Sequence, residues 1–195
     1  LRMLTIEDII KYRRKKENLI EKVVETVLPT VYGEFKLILY MDKCEDRLHL
    51  ALVKGEIKSD EPVLTRVHSE CLTGDILGSL KCDCGDQLHA ALAMIEKEKA
   101  GVLLYMRQEG RGIGLANKIR AYKLQHEHGM DTVEANNALG FPDDIRSYED
   151  AIRVLTGLRE KPVTLITNNP KKIDALKQNG LTIGDHDRQW SIHFV

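Results

Sequence analysis

Gly101-Val102-Leu103-Leu104-Tyr105-Met106-Arg107-Gln108-Glu109-Gly110-Arg111-Gly112-Ile113-Gly114-Leu115 is the pivot of this 195-residue chain. The apolar run Gly101–Met106 is too short for a buried helix and reads as a buried strand. A glycine-rich turn follows, and Ile113–His126 then shows a helical pattern. Upstream the chain is strand-like over Phe35–Met41, Leu48–Val53 and Val63–Val67, with turns near Gly33, Lys43–Arg47 and Lys58–Pro62. Between the halves, Leu88, Ala91, Leu92 and Ile95 form one stripe and predict a helix over Gln87–Lys99. Downstream, strand and helix alternate. Tyr148–Arg159 is a helix with Ser147 as N-cap, and Val163–Ile166 is a buried strand. Asn169-Pro170 opens a helix that Gly180 closes. A β-rich first half followed by alternation predicts a single α+β or mixed α/β domain over residues 28–195. Ahead of it, Ile6, Ile9, Ile10, Ile20, Val23, Val24 and Val27 recur at helical spacing, with Thr5 as N-cap. They predict a linker-like helical segment over 5–27, set off as residues 1–27.

Composition narrows the functional classes. Apolar residues make up 43% and charged residues 30%, as in an ordinary soluble domain. Twenty-nine basic residues against 30 acidic ones give a formal charge of -1, so no global field draws in nucleic acid. No apolar run approaches the roughly 20 residues that span a bilayer. The first twenty residues are too charged for a signal peptide, and the expected compartment is the cytoplasm. There are no internal repeats and no low-complexity segments.

Four cysteines remain to be placed: Cys44, Cys71, Cys82 and Cys84. In a reducing compartment a disulfide framework is disfavoured. Zinc favours thiolates, and a catalytic zinc keeps three protein ligands and an open position. Cys71, Cys82 and Cys84 supply such a set, two of them on the tight turn Cys82-Asp83-Cys84-Gly85. Unliganded core thiols are the competing reading, and Cys44 would be the fourth ligand of a closed site, although its polar loop is unlike a metal knuckle. Three thiolates leave such a zinc one negative charge, so it acidifies water less than a three-histidine site does. His68, Glu70 and Glu109 are the local acid/base candidates, and each is open to a structural role as well.

Two further stretches suit anions. Arg107 and Arg111 flank the glycine-rich turn at a helix start, where phosphate is attracted, though a plain structural turn fits equally. Thr167-Asn168-Asn169-Pro170-Lys171-Lys172 lies at a strand end and a helix start, where α/β sheets bind ligands. Ordinary capping by Asn169 explains it as well. Asp143-Asp144-Ile145-Arg146 precedes a helix and reads either as catalytic carboxylates with an arginine or as a charged first turn.

Taken together, Arg66–Gln87, Arg107–Leu115, Asn117–Tyr122, Asp131–Asn136 and Thr167–Lys172 resemble GTP cyclohydrolase II, in that family's order and spacing, from about Leu28 to about Gly184. The resemblance implies that Cys71, Cys82 and Cys84 hold one zinc ion. It implies a GTP site of Arg66, Val67, His68, Ser69 and Glu70, with Gln87, Glu109, Gly110 and Arg111, and with Thr132, Thr167 and Lys172. Asp144 matches the acid/base residue, Arg146 an arginine proposed to attack the α-phosphorus, and Tyr122 a tyrosine near the reacting ring. The implied reaction opens the imidazole ring of GTP with zinc-activated water, releases formate, and releases pyrophosphate with magnesium. Its product is 2,5-diamino-6-(5-phosphoribosylamino)pyrimidin-4-one, the first intermediate of riboflavin biosynthesis. GTP is the expected partner, with no nucleic acid or membrane, in a homodimer. Residues 1–27 look like the linker from a dihydroxybutanone-phosphate synthase domain in bifunctional relatives. The chain departs from the family pattern in its ending, 185–195, and at Ile145, where a glutamate is usual. Two outcomes compete with the active enzyme: a GTP-binding module without turnover, and a related hydrolase that stops at the formamide.

Overall fold

Among the described residues the fold is a six-stranded mixed sheet. The computed structural model describes residues 3–17, 19–57, 62–142, 144–146, 148–158, 162–167, 169–178 and 180–184. β1 (Ile20–Thr30), β2 (Gly33–Asp42) and β3 (Arg47–Lys54) form an antiparallel meander. β5 (Gly101–Met106) pairs antiparallel with β3 on one side and parallel with β4 (Val63–Ser69) on the other. β6 (Val163–Leu165) extends the parallel part. The direction of pairing therefore switches at β5.

Helices cover both faces, as the parallel half requires. Side chains alternate along β5. Val102, Leu104 and Met106 face a core completed by Val154 and Leu155 of α5 (Glu149–Leu158) and Leu176 of α6 (Pro170–Gln178). Leu103 faces the opposite core, against Ala91, Leu92 and Ile95 of α2 (Cys84–Glu98). Each such fully buried aliphatic side chain contributes roughly 1.5–3 kcal/mol. α3 (Gly114–His128) follows the glycine-rich turn. α4 (Thr132–Ala138) is opened by an Asp131–Glu134 capping box.

Strands β2 to β6 and most helices fall where the sequence predicts them. The segment 5–27 is corrected. Thr5 caps a helix, α1, that runs only over Ile6–Lys16, and from Ile20 the chain is the edge strand β1. The β-branched run around Val23, Val24, Thr26 and Val27 fits a pleated surface, and Pro29 is tolerated because an edge strand has a side that needs no donor. Paired with β2 from Ile20 to Thr30, β1 runs through the boundary expected between residues 27 and 28. Ser147 and the tail 185–195 lie outside the described residues.

Candidate active site

The carboxyl ends of the parallel strands β4 and β5 carry the residues that the sequence singles out. Ligands of α/β sheets gather at such ends where strand direction or order switches. Beyond Ser69 the chain is tied to β5 by the Glu70 N–H donating to the Met106 carbonyl at 2.8 Å. It then winds into a single π-helical turn, Leu72–Ile76, which starts next to Cys71. The N-terminus of α2 brings Cys84 back against this turn.

The sulfurs of Cys71, Cys82 and Cys84 lie within 4.8 Å of one another. Cys71 Sγ and Cys82 Sγ are 3.5 Å apart. Gly74 makes the cradle. A Cβ there would stand 2.8 Å from Cys82 Sγ and 3.2 Å from Cys71 Sγ. Gly85 permits the second close approach, since its Cβ would lie 2.5 Å from the Gly74 carbonyl oxygen. Burial and the neighbouring sulfurs of Cys71 and Cys82 push the Cys84 thiol far up. Burial also raises Cys71, but the Lys118 ammonium, Thr73, the Gly74 N–H and Cys82 outweigh it and bring that thiol below its usual range. Three crowded sulfurs with an open cradle suit a thiophilic cation. Cys44 is exposed at the β2–β3 turn and is not part of this cluster.

The surrounding polar groups hold the cluster from three sides. Asp75 accepts from His68 Nε2–H at 3.0 Å, the Tyr105 hydroxyl at 2.7 Å and the Cys71 N–H at 3.0 Å. Burial works against its ionisation, and the His68 and Tyr105 bonds overcome this, so its carboxyl titrates below the usual range. Glu109, in the glycine-rich turn, accepts the Leu72 N–H at 2.7 Å and the Lys118 ammonium at 2.8 Å. The Tyr122 hydroxyl lies 3.4 Å from Thr73 Oγ1, itself 3.6 Å from Cys71 Sγ. In the turn, Gly110 (φ 62°) and the non-glycine Arg111 (φ 59°) are both left-handed, a conformation that costs an L-residue roughly 1–2 kcal/mol. The Arg111 carbonyl accepts the Ile145 N–H at 3.1 Å, which docks the Asp144–Arg146 loop onto this turn.

A cationic group adjoins the thiols. Arg66 is buried, donates to the Ile166 carbonyl at 2.7 Å and bonds the Gln87 amide oxygen, while Gln87 donates to Asp83 at 2.7 Å. Lys172 is buried and donates to the Val67 carbonyl at 2.7 Å. Burial, with Arg66 and Arg146 nearby, pushes its ammonium down to about 7. Lys172 and Arg146 both lie over the Tyr148 ring, 5.8 Å from its centroid. Arg146 Nε donates to Asp144 at 2.8 Å. That pairing outweighs the burial that opposes both charges, holding Asp144 low and Arg146 high.

The remaining expected residues are more dispersed. His68 is 2% exposed, a strand side chain stacked on Tyr105. Ser69 accepts from Gln108 at 3.4 Å, and Glu70 pairs with Arg107 at 3.1 Å. Thr132 is exposed at the start of α4, accepting from Gln125. The Thr167 hydroxyl accepts the Asn169 N–H at 3.2 Å. Asp143 and Asn168 lie outside the described residues. Asp75, Thr73, Tyr105 and Tyr148 were not singled out in the sequence, and Lys118 stood in a motif without a role.

A second cluster, Asp42, His49 and Asp150, has ligand atoms within 4.8 Å of one another. His49 Nδ1 accepts the Arg107 N–H at 3.1 Å, so the ring proton stays on Nε2. That nitrogen is then a donor facing carboxylates, not a metal ligand.

The GTP cyclohydrolase II family pattern matches residues 21–188. The chain belongs to the GTP cyclohydrolase II family. The riboflavin biosynthesis protein RibBA of Bacillus cytotoxicus is 57% identical over 183 residues, covering 94% of this chain and 46% of that protein. The RibBA protein of Bacillus mycoides is 58% identical over the same length, with the same shares covered. The chain thus spans about half the length of these relatives. A crystal structure of RibBX, a two domain 3,4-dihydroxy-2-butanone 4-phosphate synthase from A. baumannii, aligns with a TM-score of 0.44 and 24% identity, over 83% of this chain and 38% of that one. Within the GTP cyclohydrolase II family frame, the cysteines, the glycine-rich turn and the Asp144–Arg146 loop share one end of the sheet.

Proposed function

We propose that this chain is a zinc-dependent GTP cyclohydrolase II. It opens the imidazole ring of GTP, releases formate and pyrophosphate, and yields 2,5-diamino-6-(5-phosphoribosylamino)pyrimidin-4-one, the first step of riboflavin biosynthesis. The observation that carries the reading is the convergence of Cys71, Cys82 and Cys84 around Gly74, beside the buried cations Arg66 and Lys172 and the half-buried Arg146.

Cys71, Cys82 and Cys84 would hold zinc, which when bound supplies a Lewis acid that activates water for attack on carbon 8 of the base. The chain's own residues do the rest. Tyr122, linked through Thr73 to the edge of the sulfur cluster, is placed to donate a proton to the ring nitrogen released as the bond to carbon 8 breaks. A second hydrolysis frees the formyl carbon as formate. Gln87, its amide fixed by Arg66 and Asp83, has a set orientation for reading the base. The main chain of Val67–Glu70 and the turn Glu109–Arg111 border the nucleotide. Thr132 and Thr167 supply hydroxyls, and Lys172 and Arg111 supply charge for the phosphates.

At the triphosphate, Asp144 acts as the proton acceptor and Arg146 stabilises the charge that develops as pyrophosphate leaves. A guanidinium bonded through Nε to a carboxylate is favoured in its protonated form, which supports charge stabilisation rather than nucleophilic attack as the role of Arg146. Magnesium would arrive with the triphosphate, since it is bound largely through phosphates and water. The reading extends to a homodimer, as the family resemblance implies, and to the cytoplasm, as the composition of the chain leads us to expect. Among the described residues no helix is long and apolar enough to cross a membrane.

The test is incubation of the purified protein with GTP, zinc and magnesium, followed by quantification of formate and pyrophosphate. The proposal requires both, with formate abolished by a strong zinc chelator and restored by zinc. Tight GTP binding with neither product would leave only a binding module.

A further inference from the structure

Lys118 is a buried lysine on α3 whose position the reaction as described above does not use. Its ammonium lies 3.0 Å from Cys71 Sγ and 2.8 Å from Glu109 Oε1. It also faces the Tyr122 ring, 5.7 Å from the centroid. Glu109 is in turn fixed by the Leu72 and Gly110 N–H groups, at 2.7 and 2.9 Å. The ammonium is therefore aimed: one carboxylate holds it against one sulfur. Gly110 keeps this approach open, since a Cβ there would come within 3.1 Å of the Lys118 side chain.

Three thiolates and a dication leave one negative charge over, which weakens the ion as a Lewis acid. We propose that Lys118 is the positioning residue that offsets this charge, its ammonium, held by Glu109, donating to the Cys71 sulfur. The inference rests on the reading of the three cysteines as zinc ligands. The arrangement is a carboxylate–ammonium–thiolate chain, analogous to the outer partners that orient and tune metal-bound histidines. Donation to the sulfur withdraws electron density from it, and the nearby cation stabilises a site of net negative charge. Both effects act on the ion without Lys118 touching substrate.

The experiment compares the wild-type protein with Lys118→Met, which keeps the aliphatic stem, and Lys118→Arg, which keeps the charge. Zinc affinity is measured by competition with a chromophoric chelator. The sulfur-to-metal charge-transfer band is recorded after substitution with Co2+. Lys118→Met is expected to lose roughly 10–100-fold in zinc affinity. Its Co2+ band should move to longer wavelength, because the sulfur lone pairs are no longer stabilised. Lys118→Arg should recover most of both. If Lys118→Met does not fold by circular dichroism, Lys118→Gln, with a neutral donor, replaces it and should fall between wild type and full loss. Zinc bound equally tightly by wild type and the uncharged variant, with an unmoved band, overturns this inference and leaves the zinc reading standing. A wild-type protein that takes up no zinc, unaltered by Cys71→Ser, overturns both.

Discussion

Lys172 Nζ donates to the Val67 carbonyl across 2.7 Å, from a side chain enclosed between Arg66, Arg146 and Tyr148. With its folded value near 7 against 10.5 for an ordinary lysine, the unfolded chain holds the extra proton between those limits. Stability of the ligand-free protein therefore rises with pH from about 7 to about 10.5, by at most about 1.4 kcal/mol per pH unit from this group. Affinity for a non-hydrolysable GTP analogue falls over the same window, by up to about tenfold per unit, as the lysine loses its charge. Lys172→Met removes both slopes. Thermal unfolding and titration calorimetry at several pH values check this.

Gly74→Ala places a methyl group 2.8 Å from Cys82 Sγ and 3.0 Å from Cys84 Cβ. The sulfurs must spread. Bound zinc per chain is expected to fall well below that of wild type, with a stability loss of roughly 1–3 kcal/mol from overpacking. Elemental analysis and a urea midpoint on the same sample read both.

Asp75→Asn removes a carboxylate that accepts three donors from β4, β5 and the Cys71 main chain. An amide cannot serve them all, and a loss of roughly 1–3 kcal/mol is expected. Because the folded Asp75 value is depressed, its contribution is present above the ordinary value of 3.8 and is lost as pH falls through the folded value. The variant should therefore differ most from wild type near neutrality and converge with it in strong acid, as followed by denaturant unfolding.

Arg146→Gln is expected to slow pyrophosphate release roughly 10²–10³-fold, the usual cost of removing one charge-stabilising donor. Rapid denaturant quench of the wild-type reaction at mildly alkaline pH, where a phosphoramidate survives, should show intact protein of unshifted mass. A nucleotidyl adduct on Arg146 would assign the arginine a covalent role instead.

The parts of the fold that were legible are those where local and global preferences agree. The run Gly101–Met106 is apolar on both faces because β5 is covered on both faces. The clustering of Cys71, Cys82 and Cys84 was legible because their close spacing is a property of the chain itself. Residues 20–27 were not. Ile20, Val23, Val24 and Val27 satisfy a helical spacing, and only pairing with β2, a tertiary fact, makes the segment a strand. β-branched enrichment was the available signal. Lys118 was hidden for a different reason. A lysine between Asn117 and Ile119 looks like a solvated helix position until the turn at Glu109 and the sulfur of Cys71 close over it. Asp75 was likewise an ordinary acidic residue until β4 and β5 brought His68 and Tyr105 to it.

X-ray absorption at the zinc edge, on purified protein of known zinc content, reads the ligand set without reference to turnover. The account predicts one zinc per chain with three sulfur neighbours and a single oxygen or nitrogen neighbour. A four-sulfur shell, or zinc retained in full after Cys71, Cys82 and Cys84 are all changed to serine, would contradict it.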